Sequence, residues 1–384
     1  MRVLRISHSG NVSAYRERER ALHATGRVEV ALVCPSDWPH LGQSDTHIEE
    51  EFPTWQAKTY GTGSVPLFGY ELQPIIRAIR NFKPDIVDIH EEPYSVSGFQ
   101  CLALSKMYAP RAAYVFYSAQ NINKRYPIPF RQTEQYAYRS CHGAYPCSEG
   151  VQQVLMEKGF KKACPVIPLG VNTTVFSPTG PLLRPWRLEG THVIGFTGRL
   201  VESKGLAVVL HALSDLRSAI GTEGDVRILV AGVGPDLSKF KALATEIGVA
   251  DKVEWLGEIK QADMPSFYRS CSTVVVPSLT TKTWKEQFGR VPVESMSCGT
   301  PVISSDSGSL PEVIEGAGMI VHEGDRAELV QALLTMLRQE ETRKAFEAQG
   351  LKRVADKYSW RSVADAMLDL YDTALGLKQN ETHK

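Results

Sequence analysis

Short apolar runs alternate with amphipathic stretches along most of the chain. RVLRIS (residues 2–7) has strand character, and SAYRERERALHAT (13–25) reads as a helix that Gly26 ends. VEVALVCP (28–35) is a second strand. ELQPIIRAIRNFK (71–83) reads as a helix, and PDIVDIH (84–90), AAYVFYSAQ (112–120) and GAYPCS (143–148) read as strands. Strands separated by helices predict a parallel sheet covered on both faces. The alternation stops over residues 168–190, which carry Pro168, Pro178, Pro181 and Pro185 without periodicity. This stretch reads as a connection between domains.

A second alternating series opens with HVIGFTGRL (192–200). In the helix that follows, Leu206, Val209, Leu210 and Leu213 fall at i, i+3, i+4 and i+7. VRILVAG, VEWLG, TVVVPS and PVISS read as strands; DLSKFKALATEIG, MPSFYRSC and a short segment near PVESMSC read as helices. Three helical segments close the chain, over 327–338, 341–358 and 360–375. The fold class predicted is α/β, two doubly wound domains in tandem with a cleft between them. The residues just after each strand are then the ones to inspect, because open parallel sheets bind ligands at the carboxyl ends of their strands.

Composition narrows the function classes. Lys plus Arg equals Asp plus Glu at 43 each, so there is no overall pull toward nucleic acid. The seven cysteines form no C-x-x-C pair, which argues against a disulfide framework or a structural zinc. The N-terminus lacks a long apolar run, and no window resembles a membrane span. The expectation is a cytoplasmic protein, with peripheral contact to a membrane as the one membrane role left open.

Two motifs carry candidate chemistry. In GFTGRLVESKG (195–205), Gly198 ends a strand, Arg199 follows, and Lys204 is placed at the opening of the next helix. A helix start favours anions, and a guanidinium fork beside an ammonium suits a diphosphate. Two solvent-facing cations in a loop would look the same. The stretch is neither an ATPase loop nor a nicotinamide fingerprint. In EQFGRVPVE (286–294), Pro292 suits a first helical turn, so a short helix starts near Arg290. Glu286 then lies in the loop before it and Glu294 in its first turn. Gly289 would let backbone approach a ligand. A carboxylate pair at this spacing suits a metal, an acid/base pair or a solvated face.

Together, GRLVESKG and EQFGRVPVESMSCGTPV resemble the donor domain of the family 4 glycosyltransferases, retaining enzymes of the GT-B fold. Ser295 stands where that family usually has Ala. VIPLGVNTTVFSP is similar to the family's interdomain segment, with Leu169 and Asn172 departing from it. The resemblance implies two Rossmann-like domains facing a central cleft. An acceptor domain would span 1–168, a linker 169–190 and a nucleotide-sugar domain 191–359, with a helix at about 360–376 packing back onto the first domain. Trp360 and Tyr371 on that helix read as core.

The resemblance further implies transfer of a hexosyl unit from a UDP- or GDP-sugar, with no metal and no other cofactor. Arg199 and Lys204, next to Gly198, would hold the diphosphate, and Glu294 the ribose. Glu286 would read the transferred sugar. Phe288 and Gly289, between Gln287 and Arg290, would present backbone amides. Leu256, Gly257, Glu258 and Ile259 would border the base. The acceptor would be a sugar, a lipid-linked compound or a small molecule, and the protein a monomer or homodimer. Relatives on this fold that epimerise or phosphorolyse, or a non-catalytic nucleotide-sugar-binding subunit, are the alternatives.

The first half departs from the family pattern. Where many members have a histidine, this chain has Gln120, followed by Asn121. An amide cannot hold a proton near neutral pH. In the front-face mechanism usually proposed, the departing phosphate oxygen takes the acceptor proton. His90 and Glu91 in DIHEEPYS, and His8, Ser9 and Gly10 in the first loop, are further candidates to border sugar or acceptor. The charge alternation from Arg16 to Arg20 reads as a solvated helix face or as part of an acceptor mouth.

Overall fold

A computed structural model describes residues 1–38, 49–61, 64, 66–186, 191–220 and 225–382. The chain divides into two compact units, Met1–Gly170 with Trp360–Lys384, and Val171–Ser359.

The first unit holds strands β1 (Arg2–Ile6), β2 (Glu29–Pro35), β3 (Thr54–Ala57), β4 (Thr59–Tyr60), β5 (Gly69–Tyr70), β6 (Ile86–Ile89), β7 (Ala113–Ser118) and β8 (Gly143–Pro146). Its helices are α1 (Glu17–Ala24), α2 (Leu72–Phe82), α3 (Val96–Tyr108), α4 (Phe130–Ser140) and α5 (Glu149–Glu157). Six strands form a parallel sheet in the order β3-β2-β1-β6-β7-β8, and β4 and β5 form a small hairpin.

Alternation within the strands decides which face each helix covers. Leu4, Ala31, Val33, Val87 and Phe116 pack with Ile75, Ile79, Phe82, Cys101 and Leu102 from α2 and α3. Val3, Val30, Leu32, Ile86 and Val115 pack on the opposite face. There they meet Val363, Met367, Leu368 and Tyr371 of the chain's last helix, which runs Trp360–Thr382 and so extends beyond the predicted 376.

Polar residues interrupt the alternation on that second face. Arg5 and Asp88 are register partners on β1 and β6, and both are buried. Arg5 pairs with buried Glu19 of α1 at 2.7 Å. Tyr371 donates to Asp88 at 2.7 Å, and Tyr145 donates to the other oxygen of the same carboxylate. The Arg16–Arg20 segment is therefore no solvated face. Arg16 and Arg20 both reach Glu50, Glu19 holds Arg5, and buried Arg18 lies over the rings of Tyr145 and Trp360. Covering this face with a returning helix turned surface-type charges inward, where pairing offsets their burial.

The second unit repeats the plan. Its strands are β9 (His192–Thr197), β10 (Val226–Ala231), β11 (Val253–Gly257), β12 (Thr273–Val276), β13 (Val302–Ser305) and β14 (Gly318–Val321). Its helices are α6 (Leu206–Ile220), α7 (Leu237–Glu246), α8 (Met264–Ser270), α9 (Arg290–Ser297), α10 (Leu310–Ile314), α11 (Arg326–Arg338) and α12 (Glu340–Arg353); the returning helix of the first unit is α13. The parallel sheet runs β11-β10-β9-β12-β13-β14. Leu206, Val209, Leu210 and Leu213 of α6 are fully buried against it.

The stretch read as a linker divides differently. Residues 171–186 belong to the second unit, with the Leu183 amide donating to Ser270 Oγ at 2.8 Å and Arg269 donating to the Pro181 carbonyl at 3.0 Å. Prolines without periodicity mark irregular chain, and they do not separate a free connection from one fastened by its backbone. Residues 187–190 of that stretch lie outside the described residues.

Candidate nucleotide-sugar site

In both sheets the chain leaves from a central strand in opposite directions, so each has a switch point between neighbouring strands. In the second unit it lies between β9 and β12. A cavity of about 300 Å³ opens there, and its lining includes Gly198, Arg199, Lys204, Ser278, Glu286 and Arg290.

Two glycines shape it. Gly205 has φ +73°, and a Cβ there would sit 1.9 Å from the Pro277 carbonyl oxygen. The loop after β9 can therefore lie directly on the loop after β12. Lys204 does not open α6: it ends a tight turn over Glu202–Lys204, and α6 begins after Gly205. Gly289 has φ +84°, and a Cβ would meet the Leu310 side chain at 2.6 Å. It caps α9, whose first amides receive no side-chain cap, and Gly289, Arg290 and Val291 line the cavity. Uncapped helix amides favour an anion.

This close approach pairs Lys204 with Glu286. The ammonium donates to Glu286 Oε2 at 2.7 Å, and Ser278 Oγ donates to the same oxygen at 2.9 Å. The Trp284 ring centre lies 4.6 Å from the ammonium. Arg199 is exposed at the rim. The cavity thus offers cations and amides to a phosphate and one half-buried carboxylate to a hydroxyl. Ser278 and Trp284 did not stand out in the sequence, although Ser278 ends the stretch TVVVPS, two residues past β12.

Glu294 occupies the fifth position of α9, past the first turn in which it was placed. It is buried. Tyr268 donates to it at 2.7 Å, Gln261 lies at 3.5 Å, and the Arg290 guanidinium at 3.9 Å. Burial pushes its carboxyl upward, against the pull of Arg290 and of its hydrogen bonds. Arg290 both lines the cavity and faces Glu294, which connects the two. The Phe288 ring is buried against Tyr358, and Phe288 does not line the cavity. Gln287 is exposed. Leu256 and Gly257 end the edge strand β11, Glu258 and Ile259 follow it, and none of the four lines the cavity. The turn just beyond them carries Gln261, which reaches Glu294.

The remaining candidates lie in the first unit, whose switch point falls between β1 and β6. His8, Ser9 and Gly10 follow β1, and His90 and Glu91 follow β6. The His8 Nδ1 lies 2.8 Å from Glu91 Oε2, and the His8 amide donates to Glu91 Oε1 at 2.8 Å. Ser9 Oγ and Ser7 Oγ are 2.8 Å apart, and buried Gly10 packs against Cys34 and Leu32. His90 is buried, stacked on Tyr117 with ring centres 4.0 Å apart and its Nδ1 3.2 Å from Tyr145 Oη. Burial, helped by the charges of Arg5, Arg18 and His8, holds it well below the usual histidine range. The Gln120 side-chain oxygen closes its own turn by accepting from the Ile122 amide at 3.1 Å, and Asn121 is buried.

Comparison with known proteins fixes the family. Residues 184–353 match the family described as Glycosyl transferases group 1, and residues 16–175 match Glycosyltransferase Family 4. The chain belongs to the family 4 glycosyltransferases. It is 31% identical over 188 residues to a D-inositol 3-phosphate glycosyltransferase of Corynebacterium jeikeium, an alignment covering 47% of this chain and 43% of that one. It is 32% identical over 210 residues to a phosphatidyl-myo-inositol mannosyltransferase of Mycobacterium leprae, covering 54% and 53%. The alignments thus span about half the length of these curated relatives. Among solved structures, HepE of Anabaena in complex with UDP superposes with a TM-score of 0.75 at 17% identity, covering 97% of this chain and all of that one. That likeness establishes the GT-B fold for this family 4 member. Among the described residues no helix is long and apolar enough to cross a membrane.

Proposed function

We propose that this protein transfers a hexosyl unit from a UDP- or GDP-sugar to an acceptor hydroxyl, with retention at the anomeric carbon and without a metal. The observation that carries the reading is the cavity at the second switch point. There Lys204, Arg199, Arg290 and the uncapped start of α9 converge beside a single hydroxyl-binding carboxylate, Glu286. Fixed cations and amides of this kind stabilise a leaving diphosphate. In this reading Arg199 and Lys204 hold the diphosphate, Glu294 the ribose and Glu286 the transferred sugar. Backbone at Phe288 and Gly289 contributes amides, and the base lies toward Leu256–Ile259. The acceptor is assigned to the first unit, at the ends of β1, β6 and β7.

Relatives named for inositol phosphate or phosphatidylinositol acceptors make a phosphate-bearing polyol a reasonable first acceptor class to test. The experiment is a thermal-shift and calorimetric screen of UDP, GDP and ADP, followed by turnover of the matching nucleotide sugar and NMR of the product's anomeric proton. Binding of UDP or GDP with sugar transfer in the donor's configuration is the expected result. Tight binding without release of nucleotide would reduce the protein to a nucleotide-sugar-binding subunit.

A further inference from the structure

Helices α2, α3 and α4 of the first unit pack on one face of its sheet, and their outward side is apolar and basic at once. Leu67, Leu72, Val96, Phe99, Met107 and Ile128 stand exposed on these helices or in the loops that lead into them. They are half of the twelve large apolar side chains exposed among the described residues, so the exposure is concentrated here. On α3, Val96, Phe99, Lys106 and Met107 recur at helical spacing on the outer side, while Cys101, Leu102 and Ser105 are buried. This helix is apolar on both sides, and such a helix is expected to be covered on both. The patch continues across elements. The Phe99 and Tyr136 rings meet with centres 5.6 Å apart, and the Val96 amide donates to the Pro66 carbonyl at 3.0 Å, beside Leu67.

The charges on the same side have one sign. α2 and α3 contain no Asp or Glu, and the one acid of α4, Glu134, is buried and paired with Lys158 at 2.7 Å. Arg77, Arg80, Lys106, Arg131 and Arg139 are exposed. Arg80 lies over the Tyr108 ring at 4.7 Å and Lys106 over the Tyr136 ring at 5.1 Å. Arg77, Arg131 and Arg139 meet no carboxylate among the described residues. Exposed cations elsewhere are matched, as Arg326 is by Asp215 and Lys344 by Glu340. In a chain with 43 basic and 43 acidic residues, three neighbouring helices that expose five cations and no acid are a local departure.

We propose that this face docks the first unit onto an anionic lipid surface. Phe99, Met107 and their apolar neighbours enter the boundary between headgroups and acyl chains, and the arginines and Lys106 stay at the lipid phosphates. The proposal uses the first unit alone and is independent of the donor cavity. Interleaved apolar and basic side chains are what a bilayer surface satisfies together. A nucleic acid would meet the cations with its phosphates and leave the apolar side chains in water. A second copy packed face to face would set like charges against each other.

The test is cosedimentation of the full chain with vesicles of phosphatidylcholine alone and of phosphatidylcholine mixed with phosphatidylglycerol. The protein should pellet with the mixed vesicles, stay in solution with the neutral ones, and come off as salt rises from about 0.1 M to about 0.5 M. Each Lys or Arg near such a surface counts roughly fivefold in partitioning, so Arg131→Gln with Arg139→Gln should bind about 10- to 30-fold more weakly. Phe99→Ser with Met107→Ser should lose about tenfold or more through its apolar contribution. Circular dichroism checks that both double variants keep the fold. A readout that needs no loss of binding is Met107→Cys carrying an environment-sensitive dye, which should shift to the blue on mixed vesicles. The same dye on Leu377→Cys should not shift, because α13 covers the opposite face of the sheet. Wild-type protein that stays in solution with the mixed vesicles overturns the proposal. So does pelleting that both double variants leave unchanged, or equal dye shifts at positions 107 and 377. A dimer in analytical ultracentrifugation that Phe99→Ser with Met107→Ser dissolves, while vesicle binding is kept, overturns it in favour of self-association.

Discussion

Glu286→Gln isolates the charge that Lys204 meets across the cavity. The Lys204 and Glu286 side chains are 26% and 13% exposed and 2.7 Å apart. At an effective dielectric of ~20 their gross attraction is about 6 kcal/mol. Desolvation removes most of this, and a hydrogen bond to a charged group nets about 1.5–3 kcal/mol. The amide can still accept from Ser278, so the loss lies at the lower end, about 2 kcal/mol. For a unit of this size that lowers the unfolding midpoint by roughly 4–8 °C. Nucleoside diphosphate affinity should move the opposite way. In the wild type an incoming phosphate must share the ammonium with Glu286, and in the variant the ammonium is released. Calorimetry with UDP or GDP should therefore give equal or tighter binding, while nucleotide-sugar turnover falls by orders of magnitude. A variant whose diphosphate affinity drops as far as its turnover would refute the assignment of Glu286 to the sugar.

The other expectations follow the same geometry. Lys204→Ala should weaken UDP or GDP binding by about 1.5–3 kcal/mol, roughly 10- to 150-fold; unchanged calorimetric affinity would remove Lys204 from the phosphate site. Tyr371→Phe withdraws a 2.7 Å hydrogen bond from buried Asp88 and should cost about 1–3 kcal/mol in denaturant unfolding, weakening the hold of α13 on its sheet. Glu92 keeps its proton in the folded state up to about pH 7, whereas the unfolded chain loses it near the ordinary 4.5. The folded state therefore binds more protons through this window, and stability falls as pH rises across it. Glu92→Gln should relieve up to about 3 kcal/mol of that fall at pH 8 and nothing near pH 4. Parallel stability curves for the two proteins would contradict the burial of a titrating carboxyl there.

Much of the secondary structure was legible because its signals are local. Short apolar runs marked β1, β2, β7, β9 and β10, and the Leu206–Leu213 spacing marked α6. Pro292 placed the start of α9 near Arg290, where it begins. The elements that escaped were those whose local signal is weak. Short β3 and β14 lack long apolar runs, and α3 spreads its buried residues without a clear stripe, although Ser95 caps it by accepting from the Gly98 amide.

The sequence by itself determined which residue types follow each strand, because strand period, turn glycines and motif spacing are all short-range. It therefore placed Gly198, Arg199, Lys204, Glu286 and Gly289 among the candidates. Only the tertiary structure decided partners. Strand order carries Lys204 to Glu286 across 82 positions and His8 to Glu91 across 83, and a side chain has no identity as solvated or paired until that order is set. The same holds for Arg5, Glu19 and Asp88, which look like surface charges in the chain and become a buried network once α13 returns to cover them.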